Sequence, residues 1–163
     1  MLLTKKMEDA LNKQINEELF SSYLYLSMAA YFDSLNFKGF ANWMKVQSRE
    51  ENNHAMKLYG FVNEKGGRVQ LAAIKEPQSD WKSPLDAFEA AYNHEIKITT
   101  LIYNLVNMAQ TEKDHSTAAM LQWFVNEQVE EEASADEIVQ MLKKIKDAPQ
   151  ALFMLDAKLS ERK

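Results

Sequence analysis

Apolar residues recur at alternating steps of three and four along four long stretches of the 163-residue chain. That spacing lines one face of an α-helix in a bundle. The first row reads Leu11, Ile15, Glu18, Ser22, Tyr25, Ala29, and the second Phe40, Met44, Gln47, Glu51, His54, Leu58, Phe61. The third reads Phe88, Ala91, Glu95, Ile98, Ile102, Leu105. The fourth reads Thr117, Leu121, Phe124, Gln128, Glu131, Ala135, Ile138, Leu142, Ile145. Every row is mostly apolar, and every row carries an acid near its middle. The spacing predicts helices over about 4–33, 37–65, 84–112 and 115–146, each about 45 Å long at the helical rise.

The helix breakers agree. Pro77, Pro84 and Pro149 lie at or outside the ends of these stretches. Thr4 can N-cap the first helix, Asn36 the second and Asp114 the fourth, and Ser83-Pro84 reads as an N-cap followed by proline at the first helical position. Gly66-Gly67 suits a helix C-terminus that needs left-handed backbone. Asp147-Ala148-Pro149 opens a shorter fifth helix over 149–160. The short first and third connections make each joined pair antiparallel neighbours. The segment 66–83 is long enough, at roughly 59 Å when extended, to run the length of the bundle and restart the chain at the opposite end. The expected architecture is all-α: one domain over 1–163, built as a four-helix bundle with one long crossover and a short C-terminal helix.

Composition narrows the function classes. The chain has no Cys, which excludes disulfide scaffolds, zinc fingers, cysteine-ligated clusters and thiol catalysis. Only four Gly and three Pro argue against turn-rich β folds. A net charge of −5 lacks the basic character of a nucleic-acid binder. The longest apolar stretch, around Leu24–Phe32, is too short to span a bilayer, and no signal peptide is visible. The expectation is a soluble, cytoplasmic protein without nucleic-acid or membrane partners.

The four acids carry the chemistry. With the crossover topology Glu18, Glu51, Glu95 and Glu131 come to one level and face inward. A lone acid in such a row often marks only the edge of an apolar stripe. Four at one level, one per helix, are hard to reach that way. Four ionised carboxylates in an apolar core need compensation, and two divalent cations supply the matching charge. Glu51 and His54 also form a Glu-x-x-His pair on one helix face, an arrangement known from di-metal carboxylate bundles. Carboxylates with a lone imidazole suit iron or manganese better than structural zinc.

Three segments then carry a family resemblance: Asn16-Glu17-Glu18-Leu19-Phe20-Ser21-Ser22-Tyr23-Leu24-Tyr25, Glu50-Glu51-Asn52-Asn53-His54, and Trp123 to Glu132. Together they resemble non-haem bacterial-type ferritins over essentially the whole chain, fifth helix included. The resemblance implies a ferritin-like bundle in which Glu18, Glu51 and His54 hold a first iron. Glu51 would bridge to a second, held by Glu95 and Glu131 with Gln128 beside it near the oxygen site. Glu50, Glu127 and Glu130 resemble a third iron position, and Tyr25 a tyrosine adjoining the centre. Two features set the chain apart from haem-bearing relatives. Gln128-x-x-Glu131 stands where bacterioferritins repeat Glu-x-x-His, and Asn52 and Asn53 occupy the positions where those proteins place a haem-ligating Met. Haem is therefore not expected. Rubrerythrins need cysteines that are absent here. His94 and His115 lie off the rows and read as ordinary polar positions.

The function implied is iron storage: a ferroxidase that oxidises Fe²⁺ to Fe³⁺ with O₂ or peroxide and deposits ferric oxide inside a homo-oligomeric shell of 24 subunits. Site geometry alone predicts only di-iron redox chemistry. The alternatives are a di-iron oxygenase, which would need an open pocket where the rows place Phe, Leu and Ile, and a DNA-protecting mini-ferritin, which places its metals between subunits.

Overall fold

The computed structural model describes residues 1–146 and 148–163. Five helices follow in order: α1 (Lys5–Ser34), α2 (Lys38–Glu64), α3 (Pro84–Thr111), α4 (His115–Ile145) and α5 (Pro149–Leu159). No strand occurs among the described residues.

Local chemistry sets the helix ends. The Thr4 hydroxyl accepts the Met7 N–H at 3.1 Å and donates to Glu112, tying the start of α1 to the end of α3. Ser83 caps α3 by accepting from Asp86 N, with Pro84 in the first turn, and Asp114 caps α4 by accepting from Thr117 N. Gly66 closes α2 with a φ of 72°, in the left-handed region that glycine adopts without a Cβ clash. Asn36 does not cap α2 as expected. It has a φ of 61° within the turn, and Phe37 takes the cap position without a side-chain bond. The missing cap comes from elsewhere: Asp156 Oδ1 on α5 accepts the Phe40 N–H at 2.9 Å. The α5 backbone lies so close here that a Cβ on Gly39 would overlap the Asp156 carbonyl. Ala148 precedes α5 as its N-cap, and Asp147 lies outside the described residues.

The helices run up, down, down, up. α1 packs against α2 and α3, and α3 against α4, while α5 lies on α2 with a smaller contact to α4. Between α2 and α3 the chain climbs the outer face of α1. Asn12 bonds Arg68 O and Gln70 N, Asn16 donates to Ala72 O and Ala73 O, and Ser27 donates to Gln78 O. These side chains satisfy an extended backbone that has no strand partner. The climb ends with Trp81 edge-on to Tyr31, 5.4 Å between centroids.

Nearly every row position faces inward; Ser22, Phe61 and Ile145 are half-buried and the rest are buried. The interior is not one continuous apolar core. Phe32, Phe40, Phe88, Met28, Met44 and Leu142 belong to one cluster. Leu11, Ile15, Leu58, Ile98, Ile102 and Phe124 belong to another. The acids lie in the layer between them.

Candidate metal centre

Each helix of the bundle delivers its mid-row acid to the same layer. Glu18, Glu51 and Glu95 are each 1% exposed and Glu131 is 5% exposed, so all four carboxyls sit in an interior that would reject them singly. Burial, then the Glu51 charge, holds Glu18 well above the usual carboxylate range. Burial raises Glu51 as well, followed by the charges of Glu95 and Glu131. Glu95 is raised by burial, and Glu131 is pushed up to about 8 by burial and then by Glu95. The layer therefore resists carrying four negative charges without cations.

His54 stands at the centre, one turn after Glu51. Its Nδ1 is 3.1 Å from Glu51 Oε2 and 4.0 Å from Glu18 Oε2, and its Nε2 is 3.6 Å from Glu127 Oε1 and 3.9 Å from Glu131 Oε1. Trp123 and Phe124 hold the ring edge-on. One ligand atom from each of Glu18, Glu51 and His54 lies within 4.8 Å of the others. The same holds for Glu51, Glu95 and Glu131, and for His54, Glu127 and Glu131. Glu51, His54 and Glu131 each belong to two of these groups. Oε2 of Glu18 is buried with no hydrogen-bond partner. A buried carboxylate oxygen facing a histidine and other acids, with no donor, fits a cation.

A ring of amides surrounds the acids. Gln14 donates to Glu18 at 2.9 Å, and Gln47 to both Glu51 at 2.9 Å and Glu131 at 2.6 Å. Gln128 donates to Glu95 Oε2 at 3.1 Å, and Tyr25 donates to Glu95 Oε1. Burial, then Glu95, holds the Tyr25 phenol well above its ordinary value, so it keeps the proton it donates. These hydrogen bonds fix the orientation of the carboxyl groups before any ion arrives.

The structure thus brings Glu18, Glu51, His54, Glu95 and Glu131 together and places Tyr25 and Gln128 on Glu95. It does not assemble the expected group of Glu50, Glu127 and Glu130. Glu50 Oε2 is held by Arg162 at 2.9 Å, and Glu130 is exposed on α4. Glu127 is half-buried and turns toward His54.

His94 departs from its expected role. It is buried, 9% exposed, with Nε2 2.7 Å from the Ser21 hydroxyl and its ring beside Phe20 and Tyr25. Burial, then the charges of Lys97 and Lys75, pulls it down to about 4, so it packs as a neutral ring. The partners that sequence reading missed are Gln14, Gln47 and Arg162. Gln14/Glu18 and Gln47/Glu51 share an i, i+4 spacing that could have signalled the first two; nothing local signals Arg162.

Fold and site together define a four-helix carboxylate protein whose buried acids and histidine could hold metal ions inside one bundle. Residues 8–145 match the family model described as a ferritin-like domain. The chain is 41% identical over 161 residues to a bacterial non-heme ferritin of Bacteroides fragilis, covering 99% of this chain and all of that one. It is 37% identical to one of Staphylococcus aureus, covering 99% and 97%. Among solved structures, an open pore ferritin from the hyperthermophilic archaeon Archaeoglobus fulgidus superposes with a TM-score of 0.98 at 56% identity, with 99% of each chain covered. An engineered closed form of that ferritin gives the same TM-score and identity. The chain belongs to the ferritin family.

Proposed function

We propose that this ferritin binds Fe²⁺ in pairs within each bundle, oxidises it with O₂ or peroxide, and stores the ferric product as an oxide mineral inside a shell of identical subunits, 24 as the family resemblance implies. The observation that carries this reading is the buried carboxylate layer with its unpartnered Glu18 oxygen. Iron is the substrate. Glu18, Glu51 and His54 would receive one ion, and Glu51, Glu95 and Glu131 the other. Two divalent cations balance the four carboxylates and remove the cost of burying them.

The protein's own part is positioning and charge. Each Fe²⁺ gives up one electron, so a pair held together supplies the two electrons that take O₂ to peroxide or peroxide to water. The negative layer favours the higher charge of Fe³⁺ and so favours oxidation. Gln14, Gln47, Gln128 and Tyr25 fix the carboxylates. Of the two sites only the first has an imidazole, and the carboxylate-only site suits an ion that must be passed on. Glu50, Glu127 and Glu130 form a third position only once Glu50 leaves Arg162. The protein acts in the cytoplasm as one ferritin-like unit over 1–163, without haem. No described helix is long and apolar enough to cross a membrane.

Anaerobic Fe²⁺ titration followed by exposure to O₂ tests the reading. The expected result is two Fe²⁺ bound per chain, rapid paired oxidation, and iron accumulating far beyond two per chain on repeated additions. Uptake that stops at two per chain would remove the storage function, and no binding would remove the centre.

A further inference from the structure

Beyond α5 the chain turns back over α2, and Asn42 Nδ2 holds it there by donating to Leu159 O at 3.2 Å and Arg162 O at 2.8 Å. The turn lays the Arg162 guanidinium over the Trp43 ring, 4.4 Å from its centroid. All the contacts of this guanidinium point one way. Nη1 donates to Trp43 O at 3.1 Å, and Nη2 donates to Glu50 Oε2 at 2.9 Å and to Gln47 Oε1 at 3.0 Å.

The last of these contacts reaches the metal centre. Gln47 is 1% exposed, and its amide lies between the guanidinium on one side and two carboxylates on the other. A guanidinium carries donors only, so it accepts nothing from an amide NH₂ and orients the Gln47 oxygen toward itself. The Gln47 NH₂ is thereby turned to Glu51 at 2.9 Å and Glu131 at 2.6 Å. Without the guanidinium, nothing described on that side forces this choice of amide face. A flipped Gln47 would set its oxygen against two acids and lose both bonds. Both acids are shared between groups of possible ligands: Glu51 stands with Glu18 and with Glu95, and Glu131 with Glu95 and with Glu127.

We infer that Arg162 is a positioning residue for the metal centre, acting through Gln47 to hold Glu51 and Glu131 in ligand orientation. The inference rests on the proposed function, in which those acids bind metal. Glu50 and Trp43 steer the guanidinium; they do not transmit its effect. Outer partners that orient metal ligands typically change affinity by about 10–100-fold when removed. The carboxylate-only site, which has no imidazole to anchor it, should feel the loss most.

Anaerobic Co²⁺ titration of the assembled protein, read by calorimetry and by the visible ligand-field spectrum, provides the test. Arg162→Ala should weaken the second Co²⁺ step by about tenfold and alter its spectrum, with the first step changed less. Gln47→Leu should do the same. The decisive variant is the double one: if Arg162 acts through Gln47, Arg162→Ala adds nothing to Gln47→Leu. Arg162→Lys keeps a charge for Glu50 but cannot reach all three acceptors at once, and should fall between wild type and Arg162→Ala. If Arg162→Ala fails to assemble, the same cycle is run with Arg162→Lys. Additive losses in the cycle, or an unchanged second step in the single variant, overturn the inference. Wild-type protein that binds no Co²⁺ in the bundle would overturn the underlying functional reading instead.

Discussion

Asp156 on α5 accepts the Phe40 N–H of α2 at 2.9 Å, so the fifth helix supplies the N-terminal cap that α2 lacks in its own sequence. Losing a side-chain cap costs about 1 kcal/mol. Asp156→Ala should therefore lower the melting temperature by about 2–4 °C in a chain of this size, measured by calorimetry on the metal-free protein. Gly39→Ala should cost more, because its Cβ overlaps α5 backbone rather than a movable side chain. A Gly39→Ala protein as stable as wild type would show that α5 does not dock where the structure has it.

Metal-free protein should lose stability as pH rises. Glu131 titrates near 8 in the folded state, against a carboxylate value near 4.5 when unfolded. The native state binds more protons than the unfolded one between those values, so unfolding free energy falls across that window. Glu18, Glu51 and Glu95 are shifted the same way, burial being the first cause of each. Melting temperature should drop from pH 5 to pH 8 without metal. Added Mn²⁺ or Zn²⁺ should reverse the trend, because binding expels those protons. A metal-free protein that gains stability over this range would contradict the folded-state protonation.

Binding of two metals should be unequal. His54→Ala should weaken the tighter step by more than about tenfold, beyond the loss of an outer partner, and Glu95→Ala the weaker step. Titration with Zn²⁺ and structures of metal-soaked crystals would decide. Two equally tight ions, or a second ion outside the acid layer, would defeat this asymmetry.

Glu127 lies within reach of His54 and apart from exposed Glu130, while Glu50 is occupied by Arg162. Glu127→Ala should spare the first paired oxidation and slow later turnovers, followed by stopped-flow absorbance over successive iron additions. Identical later turnovers would leave the third position without a role.

Light scattering of the native protein should give a particle near 450 kDa, corresponding to 24 chains of 18.8 kDa. Only monomers or dimers under native conditions would rule out the shell.

The rows of apolar positions made the bundle legible because burial of one helix face imposes a period that survives in sequence. The same rows exposed Glu18, Glu51, Glu95 and Glu131, since each acid breaks an apolar pattern at a predictable height. What stayed hidden depends on contacts between distant segments. The cap on α2 comes from Asp156, more than a hundred residues away, while the local candidate Asn36 is used for a left-handed turn. His94 reads in the sequence as an ordinary polar position beside Glu95, yet α1 covers it through Ser21 and Phe20. Arg162 meets Gln47 and Glu50 only because the chain beyond α5 folds back over α2.

The acid layer separates two apolar clusters, and that division has a mechanical consequence. Helices that cross the layer are gripped by apolar packing above and below it but, without ions, meet at mid-height only through hydrogen bonds among polar side chains. The empty bundle is then a beam with a fault plane, whose two ends can breathe separately. A loaded bundle has cross-ties at that plane. Amide exchange should report the difference, with iron or a surrogate slowing the mid-helix amides on either side of Glu51 and Glu95 together. Each subunit would thus stiffen as it takes up cargo, and a shell of such subunits would become more rigid as it fills.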